Sequence, residues 1–389
     1  MKVLFIGYWG AKEGLSVATI YPHLRILSSF EHIKEIYYVS IERDNIDVNI
    51  NFNIPKLIHL PLYSGHTLKD KLKDFTSFPA ELIRFVQTKS IDKIICRGAP
   101  AGALGYLIHK KTTVPYYVES FEPHADYMLE AGVWSKWNPK YILEKYWEKK
   151  QKDTAKGLMP VSNAYKNHLV EEGISMDKIH TIPCCVDLDT FNYKHEDHIS
   201  IRSQLNISMD SVVGVYVGKF GGIYYEEEAF QLFKAFFEYY QERAYLIILT
   251  PQEELCQEYF TQYSIPTEQT KVGLVEHSDV PKYLSASNFA FSLHKPSPSK
   301  IGISPIKNGE YWANGLPIII PDGIGDDSRI VREEKIGCVL DTKNHSIFED
   351  LDHSFLNRSN QQRSSLSLVA KKYRSFEVSE EVYKLVYGM

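Results

Sequence analysis

Lysines, serines and a single glutamate crowd into one stretch of the C-terminal half, HKPSPSKIGISPIKNGEYWANGLPIII. It follows an expected strand at 289–293. Lys295, Lys300 and Lys307 lie close together, with Ser297, Ser299, Ser304 and prolines between them. Pro305 suits the first turn of a helix and Ser304 its N-cap. The helix is expected over 306–314, ending at Gly315. Its N-terminus and the lysines form an anion site sized for a diphosphate. Glu310 falls about one turn inside, where a carboxylate beside cations can accept hydrogen bonds from ribose hydroxyls. Charge runs are usually solvated faces, but the proline and glycine punctuation and the following apolar run favour a structured loop.

Three further loops carry chemistry-bearing residues. VYVGKFGGIYYEEE places Lys219 after an expected strand, with Gly218, Gly221 and Gly222 around it. One cation on a flexible loop before a helix N-terminus suits a phosphate. ESFEPHADYMLE packs Glu119, Glu122, His124, Asp126 and Glu130 just past a strand end. Histidine titrates near neutrality, and carboxylates can orient it or act as acid and base. GYWGAKEG supplies Gly7, Gly10 and Gly14, which let backbone N–H groups approach a ligand. It is not GxGxxG, and no acidic residue follows at dinucleotide spacing, so a dehydrogenase is disfavoured.

The elements that must position these loops alternate. Strands are expected at 3–8, 36–41, 93–96, 116–119, 158–161 and 179–183, and helices at 67–89 and 139–156. A polar stretch without clear period, 186–210, reads as the interdomain connection. Strands resume at 212–218, 245–250, 271–275, 289–293, 317–321 and 337–340, with helices at 226–241 and 378–387. This βαβα order predicts an α/β protein of two doubly wound Rossmann-like domains facing a central cleft. The expected boundaries are 1–190, 191–370 and a last helix over 371–389 that crosses back to the first domain.

Of the 389 residues, 44% are hydrophobic and 24% charged, and the formal net charge is -5. Such a chain folds into packed cores. Its charge balance argues against nucleic acid as a partner. Five cysteines, an odd number without metal-ligand spacing, read as reduced cytosolic thiols. No leader-like or membrane-spanning run is apparent, so a cytoplasmic protein is expected.

At IPCCVDLDTF, YVGKFGGIYYEEE, SPIKNGEYWANGLPIII and the later GIGD, the chain resembles family-4-type retaining glycosyltransferases of the GT-B fold. EPHADYM matches more weakly. The resemblance implies an acceptor domain followed by a donor domain that binds a nucleotide-diphosphate sugar, with a UDP-sugar expected. It implies that Glu310 holds the donor ribose, Lys219 lies under the diphosphate, and His124 is the histidine of the N-terminal domain, with Glu122 beside it. Two departures stand out. The family pairs glutamates eight positions apart, yet Gly302 stands eight before Glu310. The second basic residue expected about six after Lys219 is replaced around Tyr224 and Tyr225, so Lys300 and Lys307 are expected to supply the missing charge.

The implied reaction needs no cofactor and no metal. Fixed lysines and helix N–H groups stabilise the departing diphosphate, work that a metal ion does in other transferases. A nucleotide-sugar epimerase and a non-catalytic sugar-nucleotide-binding protein remain as alternatives on the same fold. The expected acceptor is a saccharide or lipid-linked saccharide of bacterial surface polysaccharide or glycoconjugate synthesis. Residues 134–166 carry eight lysines against three acids, with Trp134, Trp137, Tyr141, Tyr146 and Trp147 interleaved. That pattern fits either a solvated helix with inward-packed rings or peripheral attachment to an anionic membrane face.

Overall fold

The computed structural model describes residues 1–43, 50–67, 70, 73–340, 347–351, 356 and 360–388. The chain forms two compact units, Met1–Pro183 with Phe376–Met389, and Cys184–Ser375. In the first, a six-stranded parallel sheet runs β3-β2-β1-β4-β5-β6. Its strands are β1 (Lys2–Gly7), β2 (Glu35–Glu42), β3 (Leu57–Tyr63), β4 (Lys93–Arg97), β5 (Tyr116–Phe121) and β6 (Gly157–Pro160). Val3, Leu4, Phe5 and Ile6 are fully buried, as befits a parallel sheet covered on both faces. The order reverses between β1 and β4, so ligand-binding loops belong at the carboxyl ends nearby.

The second unit repeats the plan as β12-β11-β10-β7-β8-β9. These are β7 (Val212–Val217), β8 (Ala244–Leu249), β9 (Thr270–Gly273), β10 (Phe289–Phe291), β11 (Ile318–Pro321) and β12 (Gly337–Leu340). The helix Glu227–Tyr240 buries Phe230, Phe233, Phe236, Phe237 and Tyr240 against one sheet face. Their three-to-four-residue spacing is that of a core-facing stripe.

Several elements differ from expectation for identifiable reasons. β3 holds Pro61, which a central strand would not tolerate, but β3 is the sheet edge. The expected strand at 179–183 is a single bridge between Ile179 and Leu158. The expected helix at 67–89 is described as Ser77–Lys89; positions 68–69 and 71–72 lie outside the described residues. The stretch read as an irregular connection contains the helix His195–Gln204. Its inward anchor is a cation, which hid the period. Arg202, 1% exposed, donates to the carbonyls of Ala286 at 3.0 Å and Ser208 at 2.9 Å, and to Asn288 Oδ1 at 2.7 Å.

The units divide at 183/184 and 375/376 because Arg374 stitches the ends of the second one together. Val186 N donates to Arg374 O at 2.8 Å. The Arg374 guanidinium reaches Cys184 O at 3.0 Å, Ser304 Oγ and the Asp327 carboxylate. The last helix, Phe376–Tyr387, belongs to the first unit. There Tyr383 Oη lies 2.7 Å from His23 Nδ1, and Tyr387 Oη donates to Glu119 Oε1 at 2.8 Å.

Candidate functional site

In the second unit, the loops after β7 and β10 carry most of the candidates. Backbone bonds join them: Tyr225 N donates to Leu293 O at 2.9 Å, and Lys295 N to Ile223 O at 2.8 Å. Gly221 and Gly222 have φ of +80° and +63°, which only glycine adopts cheaply. Tyr224 packs its ring 4.8 Å from that of His294, a residue the sequence reading had not singled out. His294 Nδ1 is enclosed without a hydrogen-bond partner. Burial, and then the charges of Lys300 and Lys307, push this histidine down to about 3. Burial alone would favour the neutral imidazole, and the two lysines act in the same direction.

The lysines differ in setting. Lys219 is exposed, Lys307 half-buried, and Lys300 only 2% exposed. Gly218 N is engaged by Leu249 O at 3.1 Å, so that amide is not offered to a ligand. The helix runs Ile306–Ala313, with Pro305 at its N-cap position and no side-chain cap. Ser304 is therefore not the cap. Its hydroxyl accepts from Cys184 N at 3.1 Å and from Arg374, a partner seventy positions away that no local pattern reveals.

Glu310 sits on the buried face of that helix, 6% exposed. Its Oε1 lies 3.9 Å from Nε2 of His277, an exposed residue in the turn after β9 that the sequence reading also missed. The Glu310 carboxylate raises His277 above its ordinary value, opposed by burial and by Lys307. The helix is anchored by Val217 N, which donates to Tyr311 Oη at 3.1 Å at the end of β7.

In the first unit, a register shift at Glu119–Phe121 bends the end of β5. Such a bulge re-aims the loop that follows. Glu122 Oε1 lies 3.0 Å from His124 Nδ1, so the two predicted residues are in contact. Trp134 meets the imidazole edge-on at 5.8 Å. Glu119 has a different occupation: it pairs with Arg97 at 3.1 Å, fully buried, and receives Tyr387. Asp126 pairs with Lys145 at 2.9 Å.

The helix that meets the residue after His124 carries an acidic face within a stretch whose lysines suggest a solvated surface. The helix Pro139–Thr154 buries Glu144, Glu148 and Gln151. Glu148 Oε1 accepts from Ala125 N at 2.8 Å, whereas Glu144 Oε1 is enclosed without a partner. Burial, reinforced by Glu148 and Glu122 and opposed by His124, pushes Glu144 up to about 7. Burial also works against a charged His124. The Glu122 hydrogen bond and the Glu144 and Glu148 carboxylates outweigh it and raise the imidazole above its usual value.

The glycine loop after β1 is largely occupied by its own carboxylates. Gly10 N donates to Glu13 Oε1 and Ala11 N to Glu42 Oε1, both at 2.9 Å. A Cβ on Gly10 would meet Glu42 Oε2 at 2.8 Å. Gly14 opens the helix Gly14–Thr19 with free space where its Cβ would stand.

Residues 42–190 match the family model described as Glycosyltransferase Family 4. The chain resembles family-4-type glycosyltransferases of the GT-B fold. No curated protein matches its sequence. Among solved structures it is similar to sucrose-phosphate synthase from Thermosynechococcus elongatus, with a TM-score of 0.77 and 15% identity over 99% of this chain and 98% of that one. It is also similar to HepE from Anabaena in complex with UDP, with a TM-score of 0.71 and 12% identity over 100% of both chains. The lipopolysaccharide outer core galactosyltransferase WaaB matches with a TM-score of 0.68 and 15% identity over 100% of both chains. At these identities the likeness establishes the fold.

Within this GT-B frame, Gly302 is buried in the turn Pro298–Gly302, so the position of the family's first glutamate presents no carboxylate. Residues 134–166 have a mixed character. Trp134, Tyr141 and Trp147 are half-buried, and Tyr141 donates to Asp126. Trp137 is 88% exposed, and Val133, Ile142, Leu143 and Tyr146 are exposed with it. No described helix is long and apolar enough to cross a membrane.

Proposed function

We propose that this protein is a retaining glycosyltransferase that moves a sugar from a UDP-sugar to an acceptor hydroxyl without a metal ion. The observation that carries the reading is the buried Glu310 on a helix following the β10 loop, with Lys300 and Lys307 adding to the burial that keeps the neighbouring His294 neutral. Glu310 accepts the ribose hydroxyls. Lys219 and Lys307 meet the diphosphate, and Lys300 adds its charge from beneath. As the C1–O bond of the donor breaks, negative charge grows on the diphosphate, and these preplaced cations stabilise it. The acceptor hydroxyl attacks from the leaving-group face, and a β-phosphate oxygen takes its proton. His124 serves the transfer step, with Glu122 fixing its tautomer by holding Nδ1. The UDP complex of HepE and the likeness to WaaB, a lipopolysaccharide outer core galactosyltransferase, support this choice of donor and a role in surface polysaccharide synthesis.

The acceptor is lipid-linked in this reading, and the protein works peripherally on an anionic cytoplasmic membrane face. The exposed Trp137, Ile142 and Tyr146 among lysines support that placement, because such rings favour an interface and each lysine contributes about 1 kcal/mol near anionic lipid.

Turnover of a panel of UDP-sugars, with and without saccharide acceptors, tests the reaction. A transferase releases UDP in step with acceptor. Change of the donor without acceptor makes it an epimerase, and binding without turnover makes it a sugar-nucleotide-binding protein.

A further inference from the structure

The helix Pro139–Thr154 is inverted relative to an ordinary surface helix. Its buried positions are Glu144, Glu148 and Gln151, spaced four and three apart on one face, while Ile142, Leu143 and Tyr146 are exposed. Burying carboxylates is costly unless they are paired. Glu148 is accounted for: Ala125 N donates to it at 2.8 Å, and Lys145 lies 3.5 Å away. Gln151 donates through Nε2 to Ala99 O at 3.1 Å, while its uncharged Oε1 is left without a partner. Glu144 has no such account, since its Oε1 is enclosed and unpartnered. A buried acid with an unsatisfied oxygen, one turn from the Glu148 that holds Ala125 N and within the field of a histidine that already holds another carboxylate at 3.0 Å, is poor structural material. It is well suited to holding a proton.

We propose that Glu144 is a positioning residue that stores a proton behind His124, so that the His124–Glu144 pair, and not the imidazole alone, sets the charge presented to substrate. Two interacting groups release protons in steps that belong to the pair. The direction of each group agrees: burial favours the protonated Glu144, and its carboxylate, once formed, favours imidazolium. The groups acting on the pair are Glu122 from the β5 loop and Glu148 from the same helix. Asp126, Lys145 and Lys152 act on Glu148 in turn. Tyr165, raised by burial, feels the same acids. Because Nδ1 is held by Glu122, Nε2 is the nitrogen that can donate to a substrate oxygen. Proton sharing with Glu144 keeps it a donor across neutral pH.

This inference rests on the transfer role proposed for His124, yet its test does not need turnover. The His124 ring is followed by NMR titration of full-length protein with carbon-13 histidine, its signal assigned by loss in His124→Gln. The wild type should titrate in two steps. In Glu144→Gln one step should remain, with a midpoint lower by about one pH unit. A one-step wild-type curve, or a midpoint unmoved in Glu144→Gln, overturns the proposal. If Glu144→Gln does not fold, the wild-type curve decides alone. Where turnover is measurable, its alkaline limb, where Nε2 loses the donated proton, should move with the NMR midpoint. Shared titration in a protein that turns over no donor would remove the transferase reading and leave this one standing.

Discussion

The carboxylate of Glu310 faces the imidazole of His277 at 3.9 Å, the first group buried and the second largely exposed. Glu310 holds this histidine above its ordinary value, so the imidazolium is favoured in the folded protein. Its stabilising contribution is complete below about 6.5, the unfolded value, and is lost as pH rises through the raised one. Ribose hydroxyls donating to Glu310 compete with the imidazolium. UDP affinity should therefore increase as pH climbs through that midpoint. Titration calorimetry from pH 6 to 8.5 reads it, and His277→Gln should flatten the dependence. A flat wild-type profile would separate His277 from the ligand.

Lys307→Ala should narrow the affinity gap between UDP and uridine, because Lys307 meets only the diphosphate in this account. Lys300→Ala should narrow it too and also lower Tm, since its side chain is buried. If both variants keep the wild-type gap, the diphosphate lies elsewhere.

Arg374 and Asp327 form a buried pair, each side chain 2% exposed. Arg374→Ala leaves Asp327 and Asn308, whose Nδ2 lies 2.7 Å from Asp327 Oδ2, without their cation. Breaking such a pair costs about 3–5 kcal/mol. Denaturant titration should show that loss, and Arg374→Met with Asp327→Leu should recover part of it. A single variant as stable as the wild type would show that the pair holds nothing together.

With anionic vesicles at low salt the protein should pellet, and raised salt should release it. Trp137→Ala should pellet several-fold less. Equal recovery in the supernatant with anionic and neutral vesicles would make residues 134–166 ordinary surface and the acceptor soluble.

The parallel sheets were legible because buried strands read as apolar runs between longer amphipathic stretches. β3 escaped through Pro61, and the 195–204 helix because its anchor is Arg202. Glu122 and His124 were legible as neighbours on one loop. Glu144 and Glu148 were not, since carboxylates among lysines read as solvated charge; their shared spacing with Gln151 was the available signal. His277 and Arg374 meet their partners across 33 and 47 or more positions, beyond any local pattern.

The central claim is that the second unit holds a nucleotide through Glu310. Isothermal titration of UDP into the wild type and Glu310→Ala tests it most directly. The wild type should bind saturably. The folded variant should bind about ten- to a hundred-fold more weakly, the value of hydrogen bonds to a charged group, with uridine weakened in proportion. Equal affinity in the two proteins, or no UDP binding by the wild type, would contradict the account.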